Sequence, residues 1–206
     1  TTELDIKDAR RLFHTNLMFT GTSSGAGNNI WPAPGKLMIG AIEYATPALA
    51  VAEAVSGDTI YAGVGSFTCD DVTLPSGVNL VGGDRDATIF LTTTGQNALQ
   101  LGGSNYVANV TIQNTANSAS ERRALRINTT GSTCFNCEFI VTNASTGGTR
   151  AVLADSAAVH TNYLISCKTS ATGGGTDYGI FANSASALVL YVLNCYIQGD
   201  FASIAV

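Results

Sequence analysis

Four segments of this chain are near copies of one another: Ala98-Leu99-Gln100-Leu101, Ala124-Leu125-Arg126-Ile127, Ala151-Val152-Leu153-Ala154 and Gly179-Ile180-Phe181-Ala182. Each is followed by a second shared unit: Asn109-Val110-Thr111-Ile112, Asn136-Cys137-Glu138-Phe139, Ser166-Cys167-Lys168-Thr169 and Asn194-Cys195-Tyr196-Ile197. The first unit recurs after 26, 27 and 28 residues. A period in this range marks a stacked-repeat architecture, in which each repeat buries its apolar side against its neighbours. The repeat decides the fold and leaves the function open.

Several short strands per period, bounded by turn residues and with no helical pattern between them, point to a solenoid of parallel sheets. The L-x-x-L-x-L-x-x-N spacing of leucine-rich repeats is absent. Strand alternation then sorts the side chains. Leu99 and Leu101 point inward, so the outward column is Gln100, Arg126, Leu153, Phe181. A second outward column is Thr111, Glu138, Lys168, Tyr196. Cys137, Cys167 and Cys195 share one position with Val110 and read as an inward column of small apolar side chains, since a free Cys packs as a small hydrophobe. A row of sulfurs one strand spacing apart does not make the tetrahedral set a metal needs, so no metal site is expected.

Upstream, Thr46-Pro47 starts a capping helix, with Thr as N-cap and Pro at the first helical position, running over about 46–56. Leu49, Val51, Ala52 and Val55 supply its apolar face, and the helix covers the first open rung of strands that begins at 58. Leu37-Met38-Ile39 is a short strand. Residues 3–13 carry an amphipathic helical pattern, and residues 1–40 are expected to form an N-terminal anchoring or assembly segment, with the solenoid over 41–206.

Three further stretches make the resemblance specific. They are Gly57-Asp58-Thr59-Ile60-Tyr61-Ala62-Gly63, Leu74-Pro75-Ser76-Gly77-Val78-Asn79-Leu80-Val81-Gly82-Gly83, and Asp86-Ala87-Thr88-Ile89. A helix followed by this Gly-Asp-Thr-Ile opening resembles the all-β, right-handed parallel β-helix of the pectate lyase-like superfamily. That group includes pectin methylesterases, pectate lyases, bacterial surface proteins and phage tailspikes. The resemblance covers roughly residues 46–206 and implies fold rather than activity, because its motifs are turn and core residues. It also implies that Asn109, Asn136, Ser166 and Asn194 form the inward amide ladder of such folds.

The enzymes of that group work with carboxylates, or with Arg and Ca²⁺, on an outer face. Here the column Thr111, Glu138, Lys168, Tyr196 holds one acid followed by a base, and the column Gln100, Arg126, Leu153, Phe181 holds none. Asp70-Asp71 and the pair Asp84 and Asp86 fall in turns. The QDT and DFIFG segments of pectin methylesterases, the RxPxxR of the lyases and the NTD, DD and GHG of polygalacturonases are missing. His14 and His160 lie far apart, with no nucleophile motif beside either. No catalytic constellation and no cofactor motif is found.

Composition excludes two partner classes. With 10 basic against 15 acidic residues and a formal net charge of −5, the chain lacks the basic footprint of a nucleic-acid binder. No run of about 18 apolar residues is present for membrane insertion. Charged residues are only 12% of the chain, about half the usual share. A surface of hydroxyls and amides suits a virion-surface or extracellular protein.

The outer column turning from Gln100 and Arg126 to Leu153 and Phe181, and the apolar run over 187–193, which reads as a strand buried on both faces, call for a partner. Leu153, Phe181, Val189 and Tyr191 are the candidate subunit interface, with a homotrimer packed side by side as the expected assembly. The first expectation is a structural or attachment protein, a phage tail spike or fibre subunit. The N-terminal segment would bind a virion or surface-anchoring protein, and the shaft would face a cell-surface glycan. Residues 115–123, 142–150 and 170–177 are the loops that interrupt the repeat and would hold binding determinants. The alternatives are a polysaccharide-degrading enzyme, or its N-terminal part, and a bacterial surface adhesin or filament subunit.

Overall fold

A computed structural model describes residues 31–156, 160–184, 188–198 and 200–205. The helix expected over 3–13 lies outside the described residues. Three parallel sheets wind into a β-helix. Sheet A stacks β3 (Thr59–Ala62), β6 (Asn79–Gly82), β9 (Tyr106–Ala108), β12 (Thr133–Phe135), β15 (His160–Ile165) and β18 (Leu188–Leu193). Sheet B stacks β4 (Gly65–Thr68), β7 (Thr88–Thr92), β10 (Thr111–Asn114), β13 (Glu138–Asn143), β16 (Lys168–Gly173) and β19 (Tyr196–Gln198). Sheet C stacks β5 (Val72–Leu74), β8 (Asn97–Leu101), β11 (Arg122–Ile127), β14 (Thr149–Ser156), β17 (Asp177–Ser184) and β20 (Asp200–Ala205). The chain visits A, B and C in turn, so each repeat of the sequence is one coil.

The repeat register is the expected one. Leu99, Leu125, Val152 and Ile180 pair from rung to rung, and all four lie in one core. Phe67, Phe90, Ile112 and Phe139 form the matching column of sheet B, with the Phe67 and Phe90 rings stacked at 5.2 Å. Each such side chain removed from water contributes about 1.5–3 kcal/mol. The residue before the inward Leu also faces the core. It is Ala98, Ala124 and Ala151, each 0% exposed, and then Gly179, where an added Cβ would lie 2.5 Å from Ile197 Cγ2. Two successive inward residues bend the strand into a corner.

The first rung is closed as anticipated, with differences in detail. Helix α1 (Pro47–Glu53) has Thr46 as N-cap, its hydroxyl accepting from Leu49 N–H at 3.3 Å. It stops at Glu53, short of the expected end. With only seven residues it buries Pro47 and Ala50, one turn apart, which rotates Leu49 into solvent at 55% exposure, while Val55, beyond the helix end, is 65% exposed. Two antiparallel strands, β1 (Leu37–Ile39) and β2 (Ile42–Tyr44), close the free edge of sheet A by pairing β1 with β3, which removes a template for unwanted pairing.

The amide ladder forms, less deeply buried than expected. Asn109, Asn136 and Ser166 are half-buried and Asn194 is exposed. They occupy the corner between sheets A and B, with φ of 55°, 49°, 54° and 53°. This left-handed conformation is one that Asn adopts more readily than most residues. The rung-to-rung bonds do form there: Asn136 Nδ2 donates to Asn109 Oδ1 at 2.9 Å, and Asn194 Nδ2 to Ser166 Oγ at 3.3 Å. The buried amides are others. Asn114, 0% exposed, donates to the carbonyls of Gly95, Gln96 and Arg123. Asn143 donates to those of Ser118 and Gly147, Asn105 to those of Pro75 and Val78, and Asn162 to that of Thr129. Each staples a turn to the coil by satisfying carbonyls that a buried loop would otherwise leave unpaired.

The cysteines behave as read. Cys137 and Cys167 are buried at 0% and 2% exposure, and all five thiols are free. Cys137 donates to the carbonyls of Val107 and Phe135, and Cys167 to that of Cys134. Burial, helped by the neighbouring Asp70 charge, pushes the Cys69 thiol up to about 12, and burial raises Cys134 and Cys137 as well. Thiols held protonated in this way are packing groups rather than nucleophiles.

Candidate functional site

The coil presents three outer faces, and they differ in chemistry. Sheet B carries a small polar cluster. The register Thr111, Glu138, Lys168, Tyr196 is the expected column. Within it Lys168 Nζ lies 2.7 Å from Glu138 Oε1. Arg85 sits alongside, its Nε on Asp86 at 2.7 Å and its Nη1 on Asn136 Oδ1 at 3.3 Å. Thr111 Oγ1 donates to the Arg85 carbonyl at 2.8 Å. The hydrogen bond to Asp86, with further help from Glu138 and Asp84, raises the Arg85 guanidinium and outweighs its partial burial.

Sheet C carries most of the arginines. In register are Gln100, Arg126, Leu153 and Phe181, flanked by Arg123, Arg150 and Tyr178. Arg126 grips Asp155 through Nε and Nη2, both at 3.0 Å. Glu121 holds Arg123 on one oxygen and Arg150 on the other. The Arg150 guanidinium carbon lies 3.9 Å above the centre of the Phe181 ring, and Tyr178 tilts onto the same ring at 4.9 Å. Burial lowers the Arg150 guanidinium from its ordinary value, against the pull of Glu121.

Sheet A differs from both. Its six parallel strands contain no Asp, Glu, Lys or Arg. Outward on them run two columns. Val81, Ala108, Phe135, Ile165 and Leu193 form one, and Tyr106, Thr133, Tyr163 and Tyr191 form the other. Tyr163 and Tyr191 stack at 5.0 Å and 10°. Tyr106, Phe135, Val189, Tyr191 and Leu193 are all exposed, Tyr191 by 46% and Leu193 by 48%. At the capped end Tyr61 is met edge-on by Trp31 at 5.2 Å.

The four residues singled out as one interface therefore divide between two faces. Val189 and Tyr191 lie on sheet A and are open to water. The strand that carries them, read as buried on both faces, is exposed on its outer side. Leu153 and Phe181 lie on sheet C. Leu153 points outward as expected but is only 1% exposed, and Phe181 lies under Arg150. Strand alternation fixes which side chains point outward but not what their neighbours cover. Long arginine stems on neighbouring rungs cover apolar surface while keeping their charges wet, so Leu153 is not an exposed contact.

Phe135, Tyr163 and Leu193 were not singled out. The signal was available: Tyr106, Thr133, Tyr163 and Tyr191 recur at nearly the period of the repeat, in strands too short to stand out by alternation.

No family model and no curated protein matches the chain. Among solved structures, a pectin methylesterase from carrot is similar at a TM-score of 0.52 and 22% identity, over 69% of this chain and 46% of that one. The chain thus spans about half the length of that structure. The likeness is one of fold, and the fold is a parallel β-helix.

Proposed function

We propose that this chain is a structural and attachment protein, a fibre or spike subunit on a virion or extracellular surface, whose coil is a rigid shaft working as a homo-oligomer, in the first instance a trimer. One observation carries the reading: three carboxylates on the stacked parallel strands, Glu138, Asp155 and Asp177, are each occupied, and no two of the three are in register. Glu138 is paired with Lys168 and Asp155 with Arg126, while Asp177 accepts from Thr149 Oγ1 and Gly173 N–H. Glycoside hydrolysis needs two carboxyl groups about 5–9.5 Å apart, one of them free to take up and release a proton. Carboxylates locked into ion pairs and turns serve rigidity instead. Buried amides that staple the loops act in the same direction.

In this reading the N-terminal segment joins the shaft to a larger particle, and the outer surface meets a cell-surface glycan. Electron microscopy of native particles labelled with an antibody against this chain is the test. Label along a projecting fibre is the expected result, and a chain found only free in solution would refute it.

A second reading is an enzyme acting on a polysaccharide, as the name of the carrot protein indicates for that protein. The group of Glu138, Lys168 and Arg85 on sheet B is what favours it, because two cations beside an outer-face carboxylate suit an acidic sugar chain. Release of reducing ends or of methanol from pectic and capsular glycans, lost in Glu138→Gln, would establish it over the first.

A further inference from the structure

We infer that the outer face of sheet A is the surface on which a second copy of this chain docks. The inference rests on the reading of the chain as a homo-oligomeric shaft and names the face that does the work. Two features point to another copy rather than to an unrelated partner, and a third sets how tightly it docks.

The first is electrostatic. Each copy carries a formal charge of −5, so two copies repel overall. The faces of sheets B and C hold fixed charges at Glu138, Lys168, Arg123, Arg126, Arg150 and Asp155. Apposing either face on itself sets like charges together or strips ion pairs of water, and both are costly. Sheet A has no such groups on its six parallel strands. It is the face through which identical, like-charged molecules approach without that penalty.

The second is geometric. The columns Val81 to Leu193 and Tyr106 to Tyr191 run in unbroken register, whereas sheet C shifts register between β17 and β20. Ridges repeating every ~4.8 Å mesh best with a surface of the same spacing, and a second copy has that spacing by construction.

The third is area. Six strands at ~4.8 Å and three to six residues of ~3.3 Å each give a face of roughly 290–570 Å², against about 800 Å² per partner in a standard stable interface. The docking is therefore of the weak class, with dissociation in the micromolar range or above for the coil alone.

The experiment is sedimentation velocity of the whole chain from about 1 to 300 μM, beside Tyr191→Glu, Leu193→Glu and Phe181→Glu. Circular dichroism serves as the check that each variant is folded. Tyr191 and Leu193 are about half exposed, so the two sheet A variants keep the coil. The expected result is reversible association of the natural chain, weakened at least ~10-fold by either sheet A variant, because each sets an unpaired carboxylate in an apolar contact, and changed less than ~3-fold by Phe181→Glu. A monomer at every concentration would overturn the inference, whether the face is then covered by residues 1–30 of the same chain or by a glycan. Association that persists in both sheet A variants, or that Phe181→Glu abolishes equally, would overturn it too, while leaving the oligomeric shaft standing on another face.

Discussion

Sheets A and C each turn apolar side chains outward, yet only one of them hides what it presents. On sheet C, Leu153 is 1% exposed, in register between Arg126 and Phe181; on sheet A, Tyr191 is 46% exposed with no charged neighbour on its strands. The same strand alternation produced both. The difference lies in which residues the adjacent rungs supply. Arg126, Arg150 and Glu121 give sheet C long side chains that reach across rungs. Sheet A offers only short Thr133 and Ala108 beside Phe135, and Tyr191 and Leu193 lie on β18, its last strand, with Tyr163 stacked on one side of Tyr191 and no described rung on the other. A column in a solenoid is thus exposed or covered according to its neighbours and to its distance from the open end.

The largest expected effect falls on the hidden residue. Leu153→Ala should destabilise the chain by about 2–5 kcal/mol in chemical denaturation, as for a core leucine. Tyr191→Ala, measured in dilute solution, should cost less than about 1 kcal/mol. Equal costs would erase the distinction between the faces.

Next in size is the cover itself. Arg150→Ala removes the contact with Phe181 and one pair with Glu121, and a loss of about 1–2 kcal/mol is expected. A double-mutant cycle of Arg150→Ala with Phe181→Leu should return a coupling of about 0.5–1.5 kcal/mol. A coupling near zero would mean that the ring and the guanidinium are neighbours without consequence.

The smallest effect concerns pH. Sheet A has no Asp, Glu, Lys or Arg on its parallel strands, so it adds no carboxylate-linked term to stability. The corner that leads into sheet C does. Burial pushes the Asp71 carboxyl up, but the N–H and side chain of Asn97 and the N–H of Gln96 outweigh burial and hold it below its ordinary value. A carboxyl lowered in the folded state stabilises above the unfolded range near 3.9, and that contribution is lost as pH falls through the folded value. Thermal melts of the natural chain should therefore fall more steeply below about pH 4 than those of Asp71→Asn. Parallel curves would remove Asp71 from the account.

The coil itself was legible in the sequence because its determinants are local and periodic. Leu99, Leu125, Val152 and Ile180 recur at one spacing, and Thr46-Pro47 with Gly57-Asp58-Thr59-Ile60 sets the capped start. Two things were not legible. Asn109 and Asn136 recur as strictly as core residues do and form the expected ladder, but period alone does not tell how deep a corner residue lies, since buried and half-buried positions both repeat once per coil. The buried staples Asn114 and Asn143 each end a strand but at different register positions, Asn114 pairing with Val141, and what they bind is set by loops whose paths the period does not fix. The exposed face was half legible: Val189 and Tyr191 stood out in an apolar run, but Phe135 and Tyr163 sat in strands whose partners only the fold brings together.

Hydroxyl-radical footprinting with mass spectrometry, on the folded chain at micromolar concentration or below, tests the contrast between the two faces most directly. Tyr191, Leu193 and Phe135 should oxidise at rates near those of exposed reference peptides, while Leu153 should be protected at least ~10-fold. Leu153 oxidised as fast as Tyr191, or Tyr191 as protected as Leu153, would contradict the account.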